Sequence, residues 1–244
     1  MRNIKLTIEY DGTDYHGWQS QINAAAVQDV VASAVRKLTG EDVNLIGASR
    51  TDSGVHALGQ VANFTTASDI PADKFAYALN TLLPEDIVVR KSAEADMSFH
   101  ARYSARGKKY KYLIYNSVFP SALLRHRACH VFYSLDVEAM RRAAEFFLGA
   151  HDFLAFSAAG SSTKTTVRTI NEIWIRGECG LIGLNITGNG FLYNMVRIIA
   201  GTLVEVGYGK IKPDDIPGII EGRDRKIAGR TAPPQGLYLV EVFY

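Results

Sequence analysis

The stretch Gly47-Ala48-Ser49-Arg50-Thr51-Asp52-Ser53-Gly54-Val55-His56-Ala57 lies between two apolar runs, Val43 to Ile46 before it and Val61 to Phe64 after it. It reads as a loop joining two strands. The loop is polar for such a connection, with Arg50, Asp52 and His56 inside seven residues and small residues between them. Small residues let a bulky substrate approach the backbone, and Gly54 can take a positive φ without steric cost. An Arg beside Asp52 favours the charged carboxylate, and an ionised carboxylate acts as nucleophile or base. The plain alternative is a tight surface loop with an Arg–Asp pair and an Asx turn at Asp52.

Working outward, Leu6 to Tyr10 reads as a strand that stops at the turn signal Asp11-Gly12. Val27, Val30, Val31, Ala34, Val35 and Leu38 share one helical face, and Gly40 closes that helix. The loop and its two strands follow. Pro71 to Leu83 reads as a second helix with Pro71 near its first turn, and Ile87 to Val89 as another strand. The order β-α-β-β-α-β over the first ninety or so residues is the split βαβ, or ferredoxin-like, arrangement. Its helices cover one face of an antiparallel sheet, leaving the other to hold a substrate.

The second half carries elements of a broadly matching kind. Leu135-Asp136 opens a helix with Met140, Ala143, Ala144, Phe147 and Leu148 inward. Ile170 to Arg176 and Leu181 to Ile186 pair about Gly177-Glu178-Cys179-Gly180. The Ser-, Thr- and Gly-rich segment from Ser157 to Arg168 is a loop carrying Lys164. Gly190 to Leu203 suits a buried helix in which Arg197 is conspicuous, because a buried Arg requires a partner. That partner is a nearby carboxylate such as Glu205, or one supplied from elsewhere. Pro213 to Ile220 is a short helix, and Leu237 opens the last strand.

Composition bounds the class. The 244 residues are 47% hydrophobic and 21% charged, with a net charge of +2. No apolar run approaches the ~20 residues that a membrane span needs, and the alternating N-terminus lacks the apolar block of a signal peptide. Cys129 and Cys179 have no metal-ligand spacing and read as reduced core thiols of a cytoplasmic protein. Charge distribution says more than the total. Arg102, Arg106, Lys108, Lys109 and Lys111 form a run without an acid, followed by Arg125-His126-Arg127. Such runs are either solvated faces or an RNA-binding surface.

The string Arg50-Thr51-Asp52-x-Gly54-Val55-His56-Ala57 resembles the active-site signature of the TruA family of tRNA pseudouridine synthases. The resemblance extends over the chain. It includes Tyr10-Asp11-Gly12 with Gly17-Trp18-Gln19, Lys108-Lys109-Tyr110, Phe191 with Met195-Val196-Arg197, and Ala232-Pro233 with Gly236-Leu237-Tyr238-Leu239. Ser49 and Ser53 depart from the more usual Gly and Ala, and Gln235 from a frequent acidic residue.

The resemblance implies an α+β fold of two pseudo-symmetric ferredoxin-like halves, residues 1–104 and 105–244, around a central RNA-binding cleft. It also implies a homodimer that isomerises uridines 38, 39 and 40 in the anticodon stem–loop of tRNA. Asp52 is then the nucleophile or base, and Arg197 its counter-charge. Tyr110, rather than Tyr112, stacks on the uracil. Arg50 fills the space left by the flipped nucleotide or holds its phosphate. Leu237 belongs with the substrate-binding residues, and His56 fixes the loop. Lys108, Lys109, Arg125, Arg127 and Lys164 grip the RNA backbone. No redox cofactor, nucleotide or metal is needed, and no Walker loop, dinucleotide fingerprint or zinc spacing is present in the sequence.

Two other classes compete. A non-catalytic RNA-binding module on the same scaffold keeps the Tyr and the basic residues but has no need of Asp52 with Arg197. A hydrolase using Asp52 as general base wants a second carboxylate, for which Glu205 is the candidate.

Overall fold

A computed structural model describes residues 1–160 and 163–244; Ser161 and Ser162, inside the expected Ser157–Arg168 loop, lie outside the described residues. Among the described residues there are ten strands, mostly antiparallel, and five α-helices. The chain divides into two compact units, Met1–Arg106 with Tyr238–Tyr244, and Gly107–Leu237.

In the first unit, β1 (Arg2–Tyr10) lies between β3 (His56–Thr66) and β4 (Ile87–Ala95), antiparallel to both. Alternation in β1 buries Ile4, Leu6, Ile8 and Tyr10, the period-2 pattern of a strand with one core face. The two-residue β2 (Ile46–Gly47) pairs with β3. β10 (Leu237–Phe243) brings the end of the chain back parallel to β3, with Tyr238 opposite His56 and Leu239 opposite Ala57. β3 is buried along almost its whole length, including His56, Gln60 and Asn63. It begins at His56, five residues before the apolar run at Val61, because its first residues pair with β1 and β10.

Helix α1 (Val27–Thr39) buries Val27, Val31, Ala34 and Val35, and Gly40 ends it at φ +75° with its N–H on Arg36 O. Helix α2 (Phe75–Asn80) is shorter than the expected Pro71–Leu83, although a 3-10 turn precedes it at Ala72–Lys74. The Asn80 side chain closes it by bonding both the N–H and the C=O of Val89 in β4, at 2.8 and 3.0 Å.

In the second unit, β5 (Gly107–Asn116), β9 (Leu181–Gly188), β8 (Val167–Glu178) and β7 (Gly149–Asp152) pair antiparallel in that order, and β6 (Cys129–Val131) runs parallel to β5. The β8–β9 turn has Cys179 at φ +49° and Gly180 at φ +78°, the doubly left-handed pattern of a two-residue type I′ hairpin. Cys179 is therefore exposed rather than a core thiol, whereas Cys129 is buried.

Helix α3 (Val137–Glu145) is capped by Asp136, whose Oδ1 accepts the Ala139 N–H at 2.9 Å. It buries Met140, Ala143 and Ala144, and Phe147 just beyond it, but Leu148 is 42% exposed because the chain has already left the helix. Helix α4 (Met195–Gly207) starts later than the apolar string does, since Asn194 takes a left-handed φ of +60°; nearly all of it is buried. Helix α5 (Ile216–Gly222) completes the unit.

Candidate active site

The Gly47–Ala57 loop is fastened on three sides within the first unit. From below, Thr51 is buried and its hydroxyl lies 2.7 Å from that of Tyr10. From one flank, the Gly12–Trp18 segment closes on it. Tyr15 O receives the Gly54 N–H at 3.2 Å and the Ser53 hydroxyl at 3.3 Å, and the Trp18 N–H reaches Thr51 O at 3.3 Å. From the sheet, Gln60 takes the Ser49 N–H and donates to Ser49 O, at 3.2 and 2.7 Å. A Gln with no exposure is tolerable only when bonded in this way.

Close approach explains the loop's small residues. A Cβ on Gly47 would sit 2.1 Å from Trp18 Nε1, and one on Gly17, itself at φ +88°, 2.1 Å from Thr51 O. Trp18 is thus the packed anchor of the aromatic segment, 1% exposed, and its indole nitrogen has no hydrogen-bond partner among the described residues. His56 acts as a rivet. Its Nδ1 lies 3.0 Å from Gly12 N and 3.1 Å from Asp11 Oδ1, and its ring stacks on Tyr238 of β10 at 4.8 Å.

Within this frame Asp52 is half-buried and Arg50 exposed. Among the described residues the Arg50 guanidinium makes no hydrogen bond or ion pair, so the expected Arg50–Asp52 pair is absent. Arg50 instead lines a pocket of the first unit with Gln19, Gln28, Asn44, His100, Arg102 and Tyr103. The Tyr15 hydroxyl, hydrogen-bonded to Asp86 at 2.8 Å, is held protonated far above the usual range by burial and by that carboxylate.

In the second unit, Tyr110 and Tyr112 share the buried face of β5, as their alternation predicts, with Lys109 and Lys111 half-buried on the other. Tyr112 is fully buried and spends its hydroxyl on Pro233 O at 2.8 Å, so it belongs to the core. Tyr110 is 7% exposed and meets Phe191 edge-on at 5.1 Å. Arg197 donates from Nε to Ala232 O at 2.8 Å and from Nη1 to Asn194 Oδ1 at 2.9 Å, tying the start of α4 to the segment before β10. Glu205 holds Arg230, whose N–H and Nε lie 3.2 and 3.8 Å from Glu205 Oε1. It is a structural carboxylate, which weakens the hydrolase reading.

Leu237 is buried, Lys108 half-buried, and Arg125, Arg127 and Lys164 exposed. Arg125 bonds Ala122 O at 2.6 Å. The buried amides Asn3, Gln60, Asn63 and Asn185 escaped the sequence reading, although a polar residue inside an apolar strand is the signal that marks them.

A family model described as tRNA pseudouridine synthase matches residues 6–104 and 143–244. The chain belongs to that family. Asp52, Arg50, Arg197 and Leu237 lie inside the matched segments, while Tyr110, Lys108, Lys109, Arg125 and Arg127 lie between them. Among relatives, the tRNA pseudouridine synthase A of Acetivibrio thermocellus is 66% identical over 244 residues, covering all of both chains. That of Ruminiclostridium cellulolyticum is 60% identical over 246 residues, again covering both fully. A protein of Clostridium perfringens called tRNA pseudouridine synthase A 2 is 53% identical over 244 residues. The family's reaction isomerises uridine to pseudouridine in tRNA.

Proposed function

We propose that this chain is a tRNA pseudouridine synthase acting on uridines 38, 39 and 40 of the anticodon stem–loop, and that Asp52 begins the reaction. The observation that carries this reading is the Asp52 loop in a chain of this family, held by Tyr10, Tyr15, Trp18 and Gln60 so that one carboxylate is presented in fixed geometry. The isomerisation breaks the bond from ribose C1′ to uracil N1 and forms one from C1′ to C5. C5 loses its proton and N1 gains one, so atoms balance without a redox partner. Asp52 acts as nucleophile or base, and Arg197 serves as its counter-charge. Tyr110 stacks on the uracil. Arg50 takes the place of the extruded nucleotide or holds a phosphate beside it, since a stacked uridine must leave the helix to be reached. Leu237 lines the base site, and Lys108, Lys109, Arg125, Arg127 and Lys164 hold the RNA backbone.

The same reading carries a wider picture of two pseudo-symmetric ferredoxin-like halves around a central RNA-binding cleft, a homodimer, and a cytoplasmic enzyme without a cofactor. No helix among the described residues is long and apolar enough to cross a membrane. The test is pseudouridine mapping on unmodified tRNA transcripts incubated with the wild-type protein. Pseudouridine confined to the anticodon stem–loop supports the assignment. Modification elsewhere overturns the site assignment, and tRNA binding without modification favours the binding module.

A further inference from the structure

The segment Phe99-His100-Ala101-Arg102-Tyr103-Ser104 is left without a role by the reaction, yet the first unit spends two buried amides on holding it. Asn3 and Asn63 are 1% and 4% exposed. Asn3 Nδ2 donates to Asp96 O and Phe99 O, both at 2.9 Å, and Asn63 Nδ2 donates to Asn3 Oδ1 at 2.9 Å. Asn63 Oδ1 accepts the Ala101 N–H at 2.8 Å, and the Tyr244 hydroxyl donates to Ala101 O at 2.8 Å. The turn closes on itself through Ser104 N–H to His100 O and the N–H groups of Arg102 and Tyr103 to His100 Nδ1. A satisfied buried network of this kind makes a turn rigid.

What the rigid turn displays is chemically specific. Tyr103 is 77% exposed, with His100 against its ring at 4.3 Å and the Arg102 guanidinium carbon 5.7 Å from its centroid. Arg50 and Arg102 line the same pocket, and no carboxylate does. Neither guanidinium has an ion-pair partner among the described residues. Hydrogen-bonding edges are also fixed. Gln28 Nε2 is committed to Leu45 O at 2.7 Å, and Gln19 Nε2 to Gln28 Oε1 at 2.6 Å, so Gln19 offers its carbonyl. With His100 Nδ1 accepting two N–H groups, the hydrogen of the neutral ring sits on Nε2, which has no partner among the described residues.

We propose that this pocket is a subsite for the nucleotide next to the one presented to Asp52, with its phosphate on Arg50 and Arg102 and its base on the Tyr103 ring. Two guanidiniums without a carboxylate suit a phosphate. An exposed ring beside one acceptor and one donor suits a base. Arg50 precedes Asp52 by two residues, at most about 7 Å of chain, so the occupant neighbours the reacting nucleotide. The inference rests on the RNA-modifying reading of Asp52, but binding alone tests it.

The experiment measures the affinity of the full chain for an unmodified tRNA transcript across a salt series, for wild type, Arg102→Ala, Tyr103→Ala and Tyr103→Phe. These side chains are exposed, and matching thermal midpoints for the variants will show the fold intact. Arg102→Ala is expected to bind about tenfold more weakly, with the slope of log affinity against log salt reduced by about 0.7 to 1. Tyr103→Ala is expected to bind about 5- to 30-fold more weakly with its slope kept, because stacking releases no counterion. Tyr103→Phe should stay within about twofold of wild type. Wild-type affinity and slope in both alanine variants would overturn the subsite. If wild type modifies tRNA and those variants bind as it does, the subsite falls and the reaction stands. If wild type binds tRNA without modifying it and the variants weaken binding as described, the reaction falls and the subsite stands.

Discussion

Gly47 is a small residue whose size is set by its neighbour, since a Cβ there would meet Trp18 Nε1 at 2.1 Å. Trp18 is buried and cannot swing aside, so Gly47→Ala should displace the loop it begins and cost about 1–3 kcal/mol in urea unfolding. An unchanged midpoint would show that the loop tolerates movement and is not held in fixed geometry. The sequence made the residue types of this loop legible, but not their directions. Arg50 and Asp52 read as a pair because they are close in sequence, whereas the Arg50 guanidinium makes no ion pair among the described residues. Cys179 reads as a core thiol from residue type, yet it sits in the turn about residues 177–180, where a left-handed position exposes it.

At the scale of elements, the strongest local signals held. The 3.6 period and Gly40 marked α1 almost to the residue, and the stretch Gly177-Glu178-Cys179-Gly180 marked the β8–β9 turn, which the structure narrows to Cys179 and Gly180. The end of α2 was not legible because it depends on Asn80 finding Val89, a contact with a strand that follows it. Asp136, which opens α3 in the sequence, is its N-cap in the structure. Removing it as Asp136→Ala should cost about 1 kcal/mol, read as a lower denaturation midpoint with no change in the m-value. Full stability in that variant would mean that packing of α3 leaves the cap without net effect.

For the whole molecule, the return of β10 to pair with β3 joins the end of the chain to the start of the strand that follows the Asp52 loop. No local pattern encodes such a pairing. Burial at this scale also sets a pH limit. Tyr15, Tyr112, Tyr208 and Tyr244 all hold their protons above the ordinary tyrosine value, in each case chiefly through burial, and burial pushes the Cys129 thiol up as well. A raised folded-state pKa contributes stability that is fully present below the unfolded value and is lost as pH climbs toward the folded one. Unfolding free energy should therefore fall steadily above about pH 9 to 10, where free Cys and Tyr ionise. A flat profile from pH 8 to 11 would contradict the burial of these groups.

Asp52 carries the proposed reaction, and the measurement that tests its role most directly follows the C5 proton. tRNA labelled with tritium at uridine C5 releases the label only when C5 forms its new bond. Wild type should release tritium from the anticodon stem–loop uridines, and Asp52→Asn should release none while still binding the tRNA. Release by Asp52→Asn at the wild-type rate would contradict the assignment of the carboxylate and leave the loop without its proposed role.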